Sequence, residues 1–146
     1  MGEAMRKVQE VSDKDGMAYV SERLRRGILT MEATSRGGGG GSSWPMIIRE
    51  VNEAYGYTEA RARRFQPTAR DMDEYLEAWD WLAWLIRQND GRRDFRIIMA
   101  KAHKMPTWKI AQRHGRSDRT IQRWYEAAIA HIWYNFQPEV PVTEHI

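Results

Sequence analysis

Residues 107–124 read Thr107-Trp-Lys-Ile-Ala-Gln-Arg-His-Gly-Arg-Ser-Asp-Arg-Thr-Ile-Gln-Arg-Trp124, and this stretch decides the fold. Two helices joined steeply by a short turn need small, apolar and turn-forming residues at set places. Thr107 is placed to cap the first helix. Ile110 is apolar, Ala111 is small where the helices cross, and Gly115 follows four residues later, where a left-handed conformation is wanted. Ser117 is placed to cap the second helix, with Ile121 and Trp124 turned back to the core. The spacing predicts a helix-turn-helix over Thr107–Ile132.

Charge points the same way. Ten Lys and Arg lie between Gly91 and Arg123 against only Asp94 and Asp118, a local excess of eight positive charges in a chain whose net charge is +3. A segregated positive face fits a polyanion partner, because Lys and Arg replace counterions on phosphates. In the motif register, Asp118, Arg119, Gln122 and Arg123 face solvent on the second helix and are the base-facing candidates, with Glu126 beside them. Lys109, Arg113, Arg116 and Ser117 are candidates for phosphate. So are Arg92, Arg93, Arg96, Lys101 and Lys104 on the basic face of the preceding helix.

Working outward, residues 1–15 are polar without an apolar period and are expected to be disordered. Met17, Val20, Leu24, Ile28 and Met31 repeat every three or four residues and predict the first helix. Residues 36–43, with five consecutive glycines, predict a flexible connector. A second helix should run from Ser43 to Gly56, carried by Trp44, Ile47, Ile48, Val51 and Ala54. Thr68 opens the third with Asp71 as a capping-box partner. Its stripe is read as Met72, Leu76, Trp79, Ala83 and Ile86, widened by Tyr75, Leu82 and Leu85. After the turn Asn89-Asp90-Gly91, the residues Phe95, Ile98, Met99 and Ala102 mark a fourth helix, and 137–146 form an extended tail with Pro138 and Pro141. No segment alternates with period two, so the class is all-α. Residues 16–90 are expected to support and oligomerise, and 91–136 to present the binding face.

Other chemistries fail on the residues. The chain has no cysteine, so disulfides and thiolate chemistry are excluded. His103, His114, His131 and His145 show no metal-ligand spacing and are expected at the surface or at helix ends. Asp71, Asp73, Glu74, Glu77 and Asp80 are expected to be solvated. The glycine run lacks the preceding strand and following Gly-Lys-Ser/Thr of a phosphate loop. Most of the seven tryptophans share stripes with Leu and Ile, which predicts core packing ahead of base stacking. No catalytic residue, metal or cofactor is expected, so the chain is not read as an enzyme. Neither a membrane span nor an apolar signal core is present, which predicts a cytoplasmic protein without a membrane partner.

Lys109-Ile-Ala111, Gly115, Ser117, Ile121 and Ala128-Ile129 resemble region 4 of bacterial sigma factors and the similar C-terminal domains of phage regulators. His114 and Arg116 depart from that pattern, which has apolar residues flanking the glycine. More broadly, residues 19–133 resemble an uncharacterised phage and prophage protein family. The resemblance is carried by Ser43-Trp-Pro-Met-Ile-Ile-Arg-Glu50, Ala54-Tyr-Gly-Tyr57, Met72-Asp-Glu-Tyr-Leu76, Trp81-Leu-Ala-Trp-Leu85 and Trp108-Lys-Ile-Ala111. That family carries no function over; the sigma-like part, by analogy with late-gene activators that pair an N-terminal helical region with such a C-terminal domain, implies a phage or prophage transcriptional regulator in a bacterial host cell. Its partners would be double-stranded DNA and a second copy of the chain; a further reading is an adaptor that binds RNA polymerase through the Trp-rich third helix. A small-terminase-like packaging adaptor that assembles on DNA is the alternative.

Overall fold

Ser12 starts the first helix: its hydroxyl accepts from the Asp15 N–H at 3.1 Å and its carbonyl from the Gly16 N–H at 2.8 Å. This is α1 (Asp13–Ser35), carrying Asp13 and Asp15 in the first turn, where carboxylates favour the positive end of the helix dipole. The helix thus begins before the apolar stripe does, and residues 13–15, expected to be disordered, belong to it. Asp13 is held from afar, accepting from the Trp133 indole N–H at 3.1 Å and the Tyr134 hydroxyl at 2.6 Å.

The protein was analysed as a computed structural model, which describes residues 11–35 and 65–141. The glycine connector and the helix expected over Ser43–Gly56 lie outside the described residues. After α1 come α2 (Ala69–Ile86), α3 (Gly91–Ala102), α4 (Thr107–His114) and α5 (Asp118–Phe136), with no strand among the described residues. The fold is all-α. From Gln137, which takes the left-handed conformation at φ 42°, the tail leaves the helix, and Val140 packs back on the core.

The capping box read at the start of α2 is present. The Thr68 hydroxyl accepts from the Asp71 N–H at 3.1 Å, and the Asp71 carboxylate accepts from the Thr68 N–H at 2.8 Å. The face α2 buries differs from the expected stripe. Asp71, Ala78, Trp79, Trp81, Leu82 and Leu85 are buried, whereas Met72 and Leu76 are 45% and 59% exposed. Three contacts with α1 set this roll. Asp71 accepts two bonds of 2.6 Å from the Arg26 guanidinium, and the Trp79 indole donates to the Gly27 carbonyl at 2.9 Å. A Cβ on Gly27 would lie 2.7 Å from that of Ala78, so glycine is required at this crossing. The buried ridge starts on a charged residue, which an apolar count passes over.

Carboxylates expected to be solvated are also engaged. Glu77 accepts from the buried Arg23 at 2.6 Å, and Glu74 pairs with Arg70 at 3.2 Å. Arg23 also stacks over the Trp81 ring at 4.9 Å. Asp73 and Asp80 remain exposed. His103 stands at the C-terminal end of α3 as expected, yet it is buried, with its Nε2 2.8 Å from Glu32 Oε1. No group of three or more His, Asp or Glu placed to hold a metal exists among the described residues.

One core joins the five helices. Leu24 and Ile28 of α1, Leu82 of α2, Ile97 and Met99 of α3, Ile110 of α4, and Ile121 and Ile132 of α5 are all at most 1% exposed. In α3 the consecutive residues Ile97, Ile98, Met99 and Ala100 are buried, more of its girth than the expected stripe, which narrows the basic face. Residues before and after position 90 therefore share one interior and stand or fall together.

The Arg26 guanidinium holds the Asp71 carboxyl down from 3.8 to about 2. A depressed carboxylate stabilises the fold above its unfolded value, and the contribution is lost as pH falls from about 4 towards about 2. With Arg26 partly in solvent, we expect a loss on the order of 1 kcal/mol over that window. Denaturant titrations at stepped pH should show this loss in the native chain and its absence in Asp71→Asn, which is already less stable at neutral pH.

Candidate nucleic-acid interface

The turn between α4 and α5 is built from the backbone outward. Gly115 adopts φ 63° and ψ 36°, and its N–H donates to the Gln112 carbonyl at 3.3 Å while the Arg116 N–H reaches the Ala111 carbonyl at 3.0 Å. These are the two bonds of a Schellman termination, which satisfies the last carbonyls of α4 and reverses the chain. Ser117 then caps α5, its hydroxyl accepting from the Thr120 N–H at 3.2 Å. Only residues 115–117 separate the helices. Ile110, Ala111 and Ile121 close the angle between them, each at most 3% exposed.

Thr107 does not cap α4. Pro106 holds the cap position at φ −60° and ψ 142° without a side-chain bond. The Thr107 hydroxyl instead accepts from Lys101 Nζ at 2.9 Å. The same amine donates to Gln122 Oε1 at 2.8 Å and lies 5.4 Å from the Tyr125 ring centre. Burial pushes the Lys101 amine below its ordinary value, opposed by the nearby Glu126.

Trp124 is half-buried against the core and faces two cations. The Arg93 guanidinium sits 3.8 Å from its ring centre and that of Arg116 5.8 Å. Arg93 also pairs with Asp94 at 3.0 Å and Asp90 at 3.4 Å. Burial raises the Asp94 carboxyl, and Arg93 opposes that shift. Burial also lowers His114, as do the charges of Arg96 and Arg93.

The candidate residues therefore divide. Arg92, Arg96, Lys104, Lys109, Arg113, Arg119 and Arg123 are exposed and make no ion pair among the described residues. Ser117, Asp118 and Arg116 are exposed at the turn, Ser117 occupied with its cap and Arg116 near Trp124. Arg119 and Arg123, four residues apart, share one solvent-facing ridge of α5. Lys101, Gln122 and Arg93 are committed to partners inside the fold. One residue escaped the sequence reading: Trp108 is 57% exposed. It lies off the face defined by Ile110 and Ala111, so its register on α4 carried the signal that its type concealed.

A family described as a domain of unknown function, DUF6362, matches residues 31–132. The chain belongs to that family. The DUF6362 match runs from the end of α1 into α5 and takes in the whole of α4 and the turn. No curated protein and no solved structure matches the chain.

Nothing lies within 4 Å of where a Cβ on Gly115 would stand, so a substitution there costs backbone strain alone. Gly115→Ala should lower stability by about 1 kcal/mol and Gly115→Val by more, whereas Asn, which tolerates the left-handed region, should cost less than either. Urea unfolding of the three variants checks the order, and a valine variant as stable as the native chain would refute the assigned turn.

Proposed function

We propose that this chain is a sequence-specific double-stranded-DNA-binding protein that uses α5 as its reading helix. The observation that carries the reading is the ridge formed by Arg119 and Arg123, both exposed and unpaired among the described residues, with Lys109 and Arg113 on the helix before it. Arginine pairs bidentately with the O6 and N7 of guanine in the major groove. Cations on the first helix of such a pair, and at the turn, suit the flanking phosphates. Arg92, Arg96 and Lys104 extend the positive surface along and beyond α3.

The resemblance to sigma region 4 and to phage regulators supports a role in phage or prophage transcription, in the cytoplasm of a bacterial host. RNA polymerase is then a partner, reached through surfaces other than Trp79 and Trp81, which are 2% exposed. One observation favours a packaging adaptor instead. Met72 and Leu76 leave an apolar strip on the outside of α2, of the kind that subunit contacts cover. Mass measurement in solution separates the two readings: a monomer or dimer fits regulation, and a closed ring of many subunits fits packaging.

A preferred duplex is first selected from random sequence. Arg123→Ala should then weaken binding to it by about 1–3 kcal/mol and relax preference at one base pair. Arg113→Ala should weaken preferred and scrambled duplexes alike and reduce the slope of log affinity against log salt by about one unit. Titrations of both variants at several salt concentrations decide between base reading and charge. Equal weakening of both duplexes by Arg123→Ala would overturn α5 as the reading helix.

A further inference from the structure

Resting on that DNA-binding reading, we infer that Lys101 and Gln122 do not touch DNA but form a clamp that sets the angle of the reading helix, with Lys101 as its positioning residue. Three helices meet at one amine. Lys101 leaves α3, donates at 2.9 Å to Thr107 Oγ1 at the start of α4 and at 2.8 Å to Gln122 Oε1 on α5. Beneath it lies the ring of Tyr125, whose hydroxyl is hydrogen-bonded to that of Ser21 on α1. Gln122 is used at both ends, since its Nε2 donates to Glu126 Oε2 at 2.9 Å.

Reading adenine requires a glutamine to present its oxygen and its nitrogen together to one base edge. One lone pair of Oε1 is taken by the charge-assisted bond from Lys101 and one Nε2 hydrogen by Glu126, so the amide plane is fixed by partners within the fold and turning it to a base edge breaks them. Lys101 faces the same obstacle at a phosphate, because leaving its place strands Thr107 and Gln122. The exposed Lys109 and Arg113 pay no such cost. With only three residues between α4 and α5, a few degrees of rotation at the turn move Arg119 and Arg123 relative to a groove. The clamp limits that rotation.

Lys101→Met, Gln122→Ala and the double variant test the inference by two readouts. The first is thermal unfolding without DNA, where the two substitutions should be coupled, the double variant being no less stable than the worse single. The second is affinity for the selected duplex across a salt series. Lys101→Met should bind about fivefold more weakly, the loss expected of one modest polar network, with the salt slope of the native chain kept. Gln122→Ala should weaken binding without relaxing preference at any single base pair. A slope reduced by about one unit in Lys101→Met would make Lys101 a phosphate contact and overturn the inference. Relaxed preference at one base pair in Gln122→Ala would make Gln122 a reader and overturn it equally. Additive losses of stability would show that there is no clamp. If the native chain selects no duplex, the DNA reading itself falls, and the unfolding cycle still reports on the Lys101–Gln122 coupling separately.

Discussion

The close crossing of α1 and α2 is the constraint on which the remaining packing depends. Gly27 lets the helices approach until Ala78 meets its backbone, and the Trp79 indole then bonds the Gly27 carbonyl. Arg26, next to Gly27 on α1, and Asp71, about two turns before Ala78 on α2, lock the same roll. Once α2 is turned this way, Trp81 and Trp84 stand where Phe136 can pack against them, with ring centres 6.2 and 5.4 Å apart. The C-terminal end of α5 is thereby seated by α2, and Asp13 of α1 secures it from the other side through Trp133 and Tyr134.

That arrangement makes the candidate interface an outer layer of the common core. Ile110, Ile121 and Ile132 share an interior with Leu24 and Leu82; α5 is seated on α1, α2 and α3, whereas α4 rests on α3 and α5. A cation on such a surface has two fates. Where a carboxylate, ring or amide lies within reach, as for Arg93 and Lys101, the side chain trades water for a partner in the fold. Where none does, as for Arg113, Arg119 and Arg123, it stays hydrated and available to a polyanion.

The candidate site was legible in outline. The spacing of Ile110, Ala111, Gly115, Ser117 and Ile121 located the turn and its caps, because each of those residue types answers a local steric or hydrogen-bonding need. The register likewise put Arg119 and Arg123 on the open side of α5. It misjudged Thr107, whose hydroxyl goes to Lys101 and not to its own helix end. It put Gln122 on the solvent-facing side without its bonds to Lys101 and Glu126, since periodicity reports which way a residue points and not what another helix places there.

Residues close together in the chain determined the all-α class, the capping box of Thr68 and Asp71, and the left-handed termination at Gly115, all of which depend on interactions spanning a turn or less. The roll of α2, the burial of Asp71 and His103 and the exposure of Met72 and Leu76 were decided only by tertiary structure. Each turns on a partner dozens of positions away, such as Arg26 for Asp71 or Glu32 for His103. A charged residue goes inside only where a counter-charge and hydrogen bonds meet it, as Arg26 and Thr68 meet Asp71, and such partners come from the fold and not from hydropathy. Hydropathy along one helix carries no record of what lies across from it.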